Sequence, residues 1–216
     1  TIFKGTRTPA KDFTSPVLPG YSEDIEGNDV LEYDPEKAKK LWAEAEKLQP
    51  YNKSEKLTIA YNADAGGHKK WVDAVANQIK NNLGIDVEGK SYSTFKELRT
   101  EAKDGKLTGA TRSGWQADYP SLYNFMAPVY SKGASSNDSR YDNPEFEATL
   151  NEGLEATSTD DAAKKFQEAD NTLLEDLPAI PLWYNQANAG WSENVKSVET
   201  GWNGEPEYYK VEKTGD

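Results

Sequence analysis

The sequence predicts a mixed α/β fold, with a largely parallel sheet flanked by helices. Two observations carry that prediction. Between residues 56 and 113, three short alternating apolar segments are separated by two segments of helical period, and strand–helix–strand–helix–strand order implies βαβ crossovers. The helical segments are also bounded by cap residues, which fixes their ends independently of hydrophobicity.

In chain order, residues 1–33 carry Pro9, Pro16, Pro19, Gly5, Gly20 and Gly27 without any period, and read as an extended loop ordered by lying on something else. Asp34-Pro35-Glu36-Lys37 starts a helix: an N-cap acid, proline at the first helical position, and an acid near the positive end of the dipole. Ala38, Leu41, Trp42, Ala45 and Leu48 follow at helical spacing, with Trp42 on an apolar face that core packing explains, and Pro50 closes the element. Residues 56–62 read as a strand. The next helix presents Trp71, Val75, Ile79 and Leu83 on one face and ends at Gly84. Residues 85–92 are the second strand, and Thr94-Phe95-Lys96-Glu97 is a capping box opening a helix to about residue 104. Residues 107–113 are the third strand.

Asn143-Pro144-Glu145 starts a further helix with Phe146, Leu150 and Leu154 inward. Thr159 is expected to cap a longer one bearing Ala163, Phe166, Ala169, Leu173 and Leu177, stopped by Pro178. Residues 179–184 read as an apolar strand whose Pro181 points to an edge or a bulge. The tail from Asn185 predicts no element.

Composition narrows the function classes. The chain carries 25 basic and 37 acidic residues for a net charge of −12, which disfavours nucleic-acid phosphates and anionic membrane surfaces as partners. With no cysteine, disulfides, thiolate metal sites and a cysteine nucleophile are excluded. No apolar run reaches the roughly 20 residues of a membrane span, and no signal peptide is visible. The chain opens on Thr1-Ile2-Phe3-Lys4-Gly5 without a methionine and reads as a piece of a longer protein. The one histidine, His68, would have to serve any Ser-His-Asp arrangement, and there is no Gly-x-Ser-x-Gly elbow, P-loop or GxGxxG. The run from Asp138 to Asp142 lacks the glycine and terminal glutamate of a calcium loop. No metal ligand set and no cofactor is predicted.

The stretch of greatest chemical interest is Gly114-Trp115-Gln116-Ala117-Asp118-Tyr119-Pro120, running on to Tyr123 and Phe125. A single carboxylate lies there among aromatic residues, which suits a cationic, partly apolar ligand. Two readings stand side by side: a binding site beyond the carboxyl end of a strand, or a strand end whose aromatics are core and whose Asp118 caps the following helix. With six Trp and twelve Tyr, a sugar-stacking platform is a third. A carboxylate-based hydrolase would need a second acid opposed to Asp118, which spacing does not identify.

Six motifs then agree in order with one family: Thr1–Gly5 with Pro9-Ala10; Asp34-Pro35-Glu36-Lys37-Ala38; Gly84-Ile85; Gly114-Trp115-x-Ala117-Asp118-Tyr119-Pro120; Tyr141-x-Asn143-Pro144-x-Phe146; and Leu177-Pro178-Ala179-Ile180-Pro181-Leu182. The chain resembles the C-terminal part of the peptide-binding (oligopeptide/dipeptide type, family 5) extracytoplasmic solute-binding proteins of ABC importers. The resemblance implies the second lobe of a two-lobed type II periplasmic-binding-protein fold. Residues 1–33 would be a lead-in loop packing on the lobe, 34–200 the α/β lobe, and 201–216 a segment returning toward the missing first lobe. It implies a non-enzymatic monomer outside the cytoplasm that captures short peptides between its lobes and delivers them to the permease subunits. A signal peptide and any lipid anchor would lie in the missing half. It further implies that Asp118 pairs with the ligand's α-ammonium, that Trp115 lines a side-chain pocket and that Tyr119 shapes the cleft wall. Ala117 counts in this set through the motif, and Asn137 in the polar loop is a further cleft residue. Some members bind nickel chelates, sugars or other solutes on the same scaffold, so the fold leaves the ligand class open.

Overall fold

A computed structural model describes residues 2–215. Its elements in chain order are β1 (Arg7–Pro9), α1 (Pro35–Leu48), β2 (Leu57–Asn62), α2 (His68–Leu83), β3 (Val87–Tyr92), α3 (Phe95–Lys103), β4 (Ala110–Thr111), α4 (Tyr123–Tyr130), α5 (Pro144–Glu155), α6 (Thr159–Asp176), β5 (Trp183–Asn185), β6 (Val195–Lys196) and β7 (Glu212–Lys213). Contacts divide the chain into two compact units. One is Tyr33–Gly114; the other joins Phe3–Glu32 to the chain from Trp115 onward. This grouping differs from the segments 1–33, 34–200 and 201–216 expected from the sequence.

The Tyr33–Gly114 unit is the βαβαβ motif. Its three strands lie in the order β3-β2-β4, with both pairings parallel. The chain leaves β2 through α2 to β3, then returns through α3 past β2 to β4. The caps behave as their chemistry dictates. The Asp34 carboxylate accepts from the Glu36 and Lys37 amides, Thr94 accepts from the Glu97 amide, and Gly84 takes the left-handed conformation at the end of α2. Gly89 interrupts the β3 pattern because a Cβ there would press on Val72 and Tyr61, at 3.0 and 3.1 Å. Trp71, Val72, Ala76 and Leu98 are buried with Ile59, Ala60 and Tyr61 of β2.

Two expectations need correction here. The third strand is much shorter than 107–113: β4 is an edge strand that meets β2 only at Ala110 and Thr111, extended by the Arg112 amide donating to the Ala60 carbonyl. And α1 buries none of its side chains: it leans on α2, yet Leu41 is 54% and Leu48 89% exposed.

The other unit is a helical layer with a small two-stranded sheet. Phe146, Leu150, Phe166, Leu173 and Leu174 of the α5–α6 pair enclose a core with Leu122, Met126 and Tyr130. Gly153 lies in mid-helix because a Cβ there would collide with the Phe166 ring at 2.4 Å. The proline-rich N-terminal stretch lies on this core: Phe13, Leu18 and Ile25 enter it, and β1 pairs antiparallel with β5. The α6 cap is Ser158 rather than Thr159, its side chain accepting from the Asp161 amide. The strand expected at 179–184 is paired only at Trp183–Asn185, beyond Pro181. In the tail, where the sequence predicts nothing, β6 and β7 pair antiparallel and Thr200 bridges to Pro206. These pairings are two residues long or less, too short for a period to register.

Candidate functional site

The segment from Trp115 to Asn124 is held from two sides. Ala117 is buried, and the Asn124 side chain, 2% exposed at the start of α4, turns its Oδ1 back onto the turn. That oxygen accepts from the Asp118 amide at 2.8 Å and from the Trp115 indole Nε1 at 3.4 Å. Gln116 reaches the other way, donating from Nε2 to the Asn203 carbonyl at 3.0 Å.

What this framework leaves over is the Asp118 carboxylate. It is exposed and accepts no hydrogen bond from the described residues. The capping role is not taken up: α4 begins after Leu122 with no side-chain cap, and the Tyr123 amide goes to Ser121 Oγ at 3.3 Å. A fixed backbone with an uncommitted carboxylate is the arrangement that charge-assisted recognition of an ammonium requires.

The aromatic surround is smaller than the sequence suggests. Tyr123 packs its ring on Phe166 at 5.6 Å and Phe125 leans on the helical core, so both serve packing. Trp115 is half-buried and Tyr119 is 45% exposed, which leaves these two beside Asp118 in the chain with faces to offer. Tyr119 also borders an open depression of about 460 Å³, shared with Ser121, Tyr123, Leu154, Ser158 and Phe166.

Asn137 is otherwise engaged. Its Nδ2 donates to the carbonyls of Ser131 at 3.0 Å and Tyr141 at 2.8 Å, with a longer contact to Tyr130, and its Oδ1 accepts from the Tyr141 amide and Ser139 Oγ. Its hydrogen-bonding capacity is used in shaping the 130–141 loop.

The Tyr33–Gly114 unit carries a second polar cluster, which sequence reading missed. Asn62, 1% exposed at the end of β2, accepts from Arg112 Nε at 2.8 Å and donates to Asp64 Oδ1 at 2.6 Å. Asp64 Oδ2 accepts from the Phe95 amide at 3.0 Å; the Asn62 bond, then this one, hold the Asp64 carboxyl below its ordinary pKa. The Arg112 guanidinium lies 4.7 Å from the Phe95 ring centroid, and its two Nη groups meet no acceptor among the described residues. His68 accepts from the Trp71 indole at Nδ1, and burial followed by the Arg112 charge pushes its pKa down. The α2 N-terminus has no side-chain cap. The cluster lies at the carboxyl ends of β2 and β4, where the chain reverses its direction across the sheet, and its free guanidinium suits a carboxylate or a phosphate. A basic residue directly after a strand of a βαβ unit was the available signal.

One unit thus carries a polar cluster at the carboxyl edge of a parallel sheet, and the other, by itself, carries an exposed aspartate on a fixed turn. The family is shown by sequence: the chain belongs to the bacterial extracellular solute-binding proteins, family 5, whose middle-region profile matches residues 1–137. It is 28% identical over 217 residues to heme-binding protein A of Haemophilus influenzae, covering 99% of this chain and 38% of that protein. To the oligopeptide-binding protein OppA of Bacillus subtilis it is 26% identical over 202 residues, covering 91% and 36%. The murein tripeptide binding protein MppA of Escherichia coli superposes with a TM-score of 0.80 at 22% identity, covering 98% of this chain and 42% of that one, a likeness of fold. The chain thus spans well under half the length of these proteins. Among the described residues no helix is long and apolar enough to cross a membrane, and no group of three or more His, Cys, Asp or Glu is placed to hold a metal ion.

Proposed function

We propose that the chain is part of the substrate-binding component of an ABC importer, and that Asp118 receives the α-ammonium group of a short peptide. The observation that carries this reading is the exposed Asp118 carboxylate, without a partner among the described residues on a backbone fixed by Asn124. Family membership and the peptide-binding names of the relatives support it. In the same reading Trp115 and Tyr119 flank the ammonium and supply apolar area, and Ala117 acts by burying the turn. Asn137 borders the cleft as part of the 130–141 loop that it holds in shape, without contacting the ligand. The protein works outside the cytoplasm as a monomer, hands its peptide to the permease subunits and performs no chemistry on it.

The test is calorimetric titration of the full-length protein and its Asp118→Asn variant with peptide pools bearing free or acetylated N-termini. Removing one charge-assisted contact of about 2 kcal/mol weakens free-amine peptides roughly thirtyfold. Acetylated peptides bind weakly to both forms. Equal affinity of the two pools for the unaltered protein overturns the α-amine role, and tighter binding of oligosaccharides or heme than of any peptide overturns the ligand class.

A further inference from the structure

Asp12 and Asp170 are each 1% exposed and lie where the N-terminal stretch crosses α6, in the unit that also carries Asp118. Asp12 Oδ1 accepts from the Thr14 amide at 2.7 Å, Thr14 Oγ1 at 3.1 Å and the Tyr184 hydroxyl at 3.0 Å. Asp170 Oδ1 accepts only from the amide of Phe13, the residue that follows Asp12, at 3.3 Å. The two carboxyl groups are therefore neighbours, and in both of them Oδ2 is buried without any partner.

We propose that Asp12 and Asp170 hold one proton between their Oδ2 atoms, forming a proton-locked clasp that fastens the 10–14 segment to α6 and loosens when that proton is lost.

The argument is one of charge and donors. Two ionised carboxylates sealed side by side need a cation, and the groups facing them supply none. Tyr184 comes from β5, Tyr130 from α4 and Tyr21 from the N-terminal stretch, all neutral phenols. Lys11 contributes its backbone amide, which donates to the Tyr184 oxygen at 3.0 Å, as does the Asp12 amide at 3.2 Å. With these amides donating to its oxygen, Tyr184 spends its single proton on Asp12. One proton placed between the orphaned oxygens removes both a charge and the two unsatisfied acceptors.

The donor count also says where the proton resides. Asp12 Oδ1 collects three donors, a setting that favours the ionised form; Asp170 has one long bond. On this proposal Asp170 is the acid and Asp12 the carboxylate. Burial, and then for Asp170 the Asp12 charge, pushes both groups above the ordinary aspartate range, Asp170 the further. The proton belongs to the pair as a unit.

The sign follows directly. In the folded chain the pair keeps its proton at pH values where the unfolded carboxyls have lost theirs. Stability is therefore fully present below the ordinary aspartate pKa and declines as pH rises toward the folded pair's own ionisation. Asp170→Asn replaces the O–H donor by an N–H that cannot be lost.

The experiment is thermal unfolding across pH for the protein and the Asp170→Asn variant, with and without added calcium. The expected result is a midpoint that falls on raising the pH in the unaltered protein, and a variant that folds at neutral pH with that slope removed. A slope unchanged in the variant overturns the clasp. A midpoint raised by calcium in the unaltered protein alone shows a metal ion between the oxygens and overturns it too. Should the variant not fold, infrared spectroscopy of the unaltered protein decides. A protonated carboxyl C=O band, shifted in D2O and persisting where exposed carboxyls are ionised, supports the shared proton, and its absence overturns it.

Discussion

Asp118 and Asp170 belong to the same compact unit, and each has carboxylate oxygen without a protein partner. One is in water and the other is sealed. Water satisfies the Asp118 oxygens at no cost to the fold, so its charge remains available to a ligand. The Asp170 oxygen has no such recourse and must find a proton. The same side chain is thus a binding group or a structural one according to whether solvent reaches it. What differs between the two regions is the framework: around Asp118 the hydrogen bonds go to the backbone and leave the side chain free, whereas around Asp12 and Asp170 they go to the side chains themselves.

The contrast breaks most readily at Asp12. Asp12→Ala strands the Thr14 amide and the Tyr184 hydroxyl inside the protein, and urea unfolding should show a loss of about 3 kcal/mol. A loss comparable to that of a surface substitution would mean that the sealed region is not organised by its acids. Next comes Asn124→Ala, which removes the acceptor for the Asp118 amide and the Trp115 indole. We expect about 2 kcal/mol of destabilisation, and in full-length protein a weakening for free-amine peptides approaching that of Asp118→Asn. Unchanged peptide affinity would separate the turn's rigidity from its function. Asn137→Ala should lower stability by about 1 kcal/mol while leaving peptide affinity within twofold, which distinguishes a loop-shaping residue from a ligand contact. The smallest effect belongs to Asp118→Ala, expected to change unfolding free energy by less than about 0.5 kcal/mol. A larger stability loss there would give the exposed acid a structural partner after all.

Local chemistry made much of this legible. The helix starts at Asp34-Pro35, Thr94 and Asn143-Pro144 and the stop at Gly84 rest on hydrogen bonds between near neighbours in sequence, so they can be read without knowing what packs on them. The order of elements gave the parallel sheet. The Trp115–Pro120 turn stood out in the sequence because its motif is contiguous. Burial was not legible. Leu41 and Leu48 sit on an apolar helical stripe yet face solvent, while the aperiodic stretch carrying Phe13, Leu18 and Ile25 enters a core built with helices that lie far along the chain, from Leu122 to Leu174. The support of the Trp115–Asn124 turn and of the Arg112 cluster was hidden for a similar reason. Asn124 reads as an ordinary polar helix residue until its side chain is seen turned back on the Asp118 amide, and Arg112 gains meaning only from Asn62, fifty residues earlier.

The bare face of α1 has a kinetic consequence. A helix of 14 residues is marginal in water by itself, and this one leans mainly on α2 and buries no side chain. Its amides are set to exchange with deuterium through local opening, well before those of α2, whose Trp71, Val72 and Ala76 must leave the interior first. In a hydrogen-exchange time course α1 would register as a separate and faster cooperative unit, unravelling and re-forming while the parallel sheet beneath α2 stays intact.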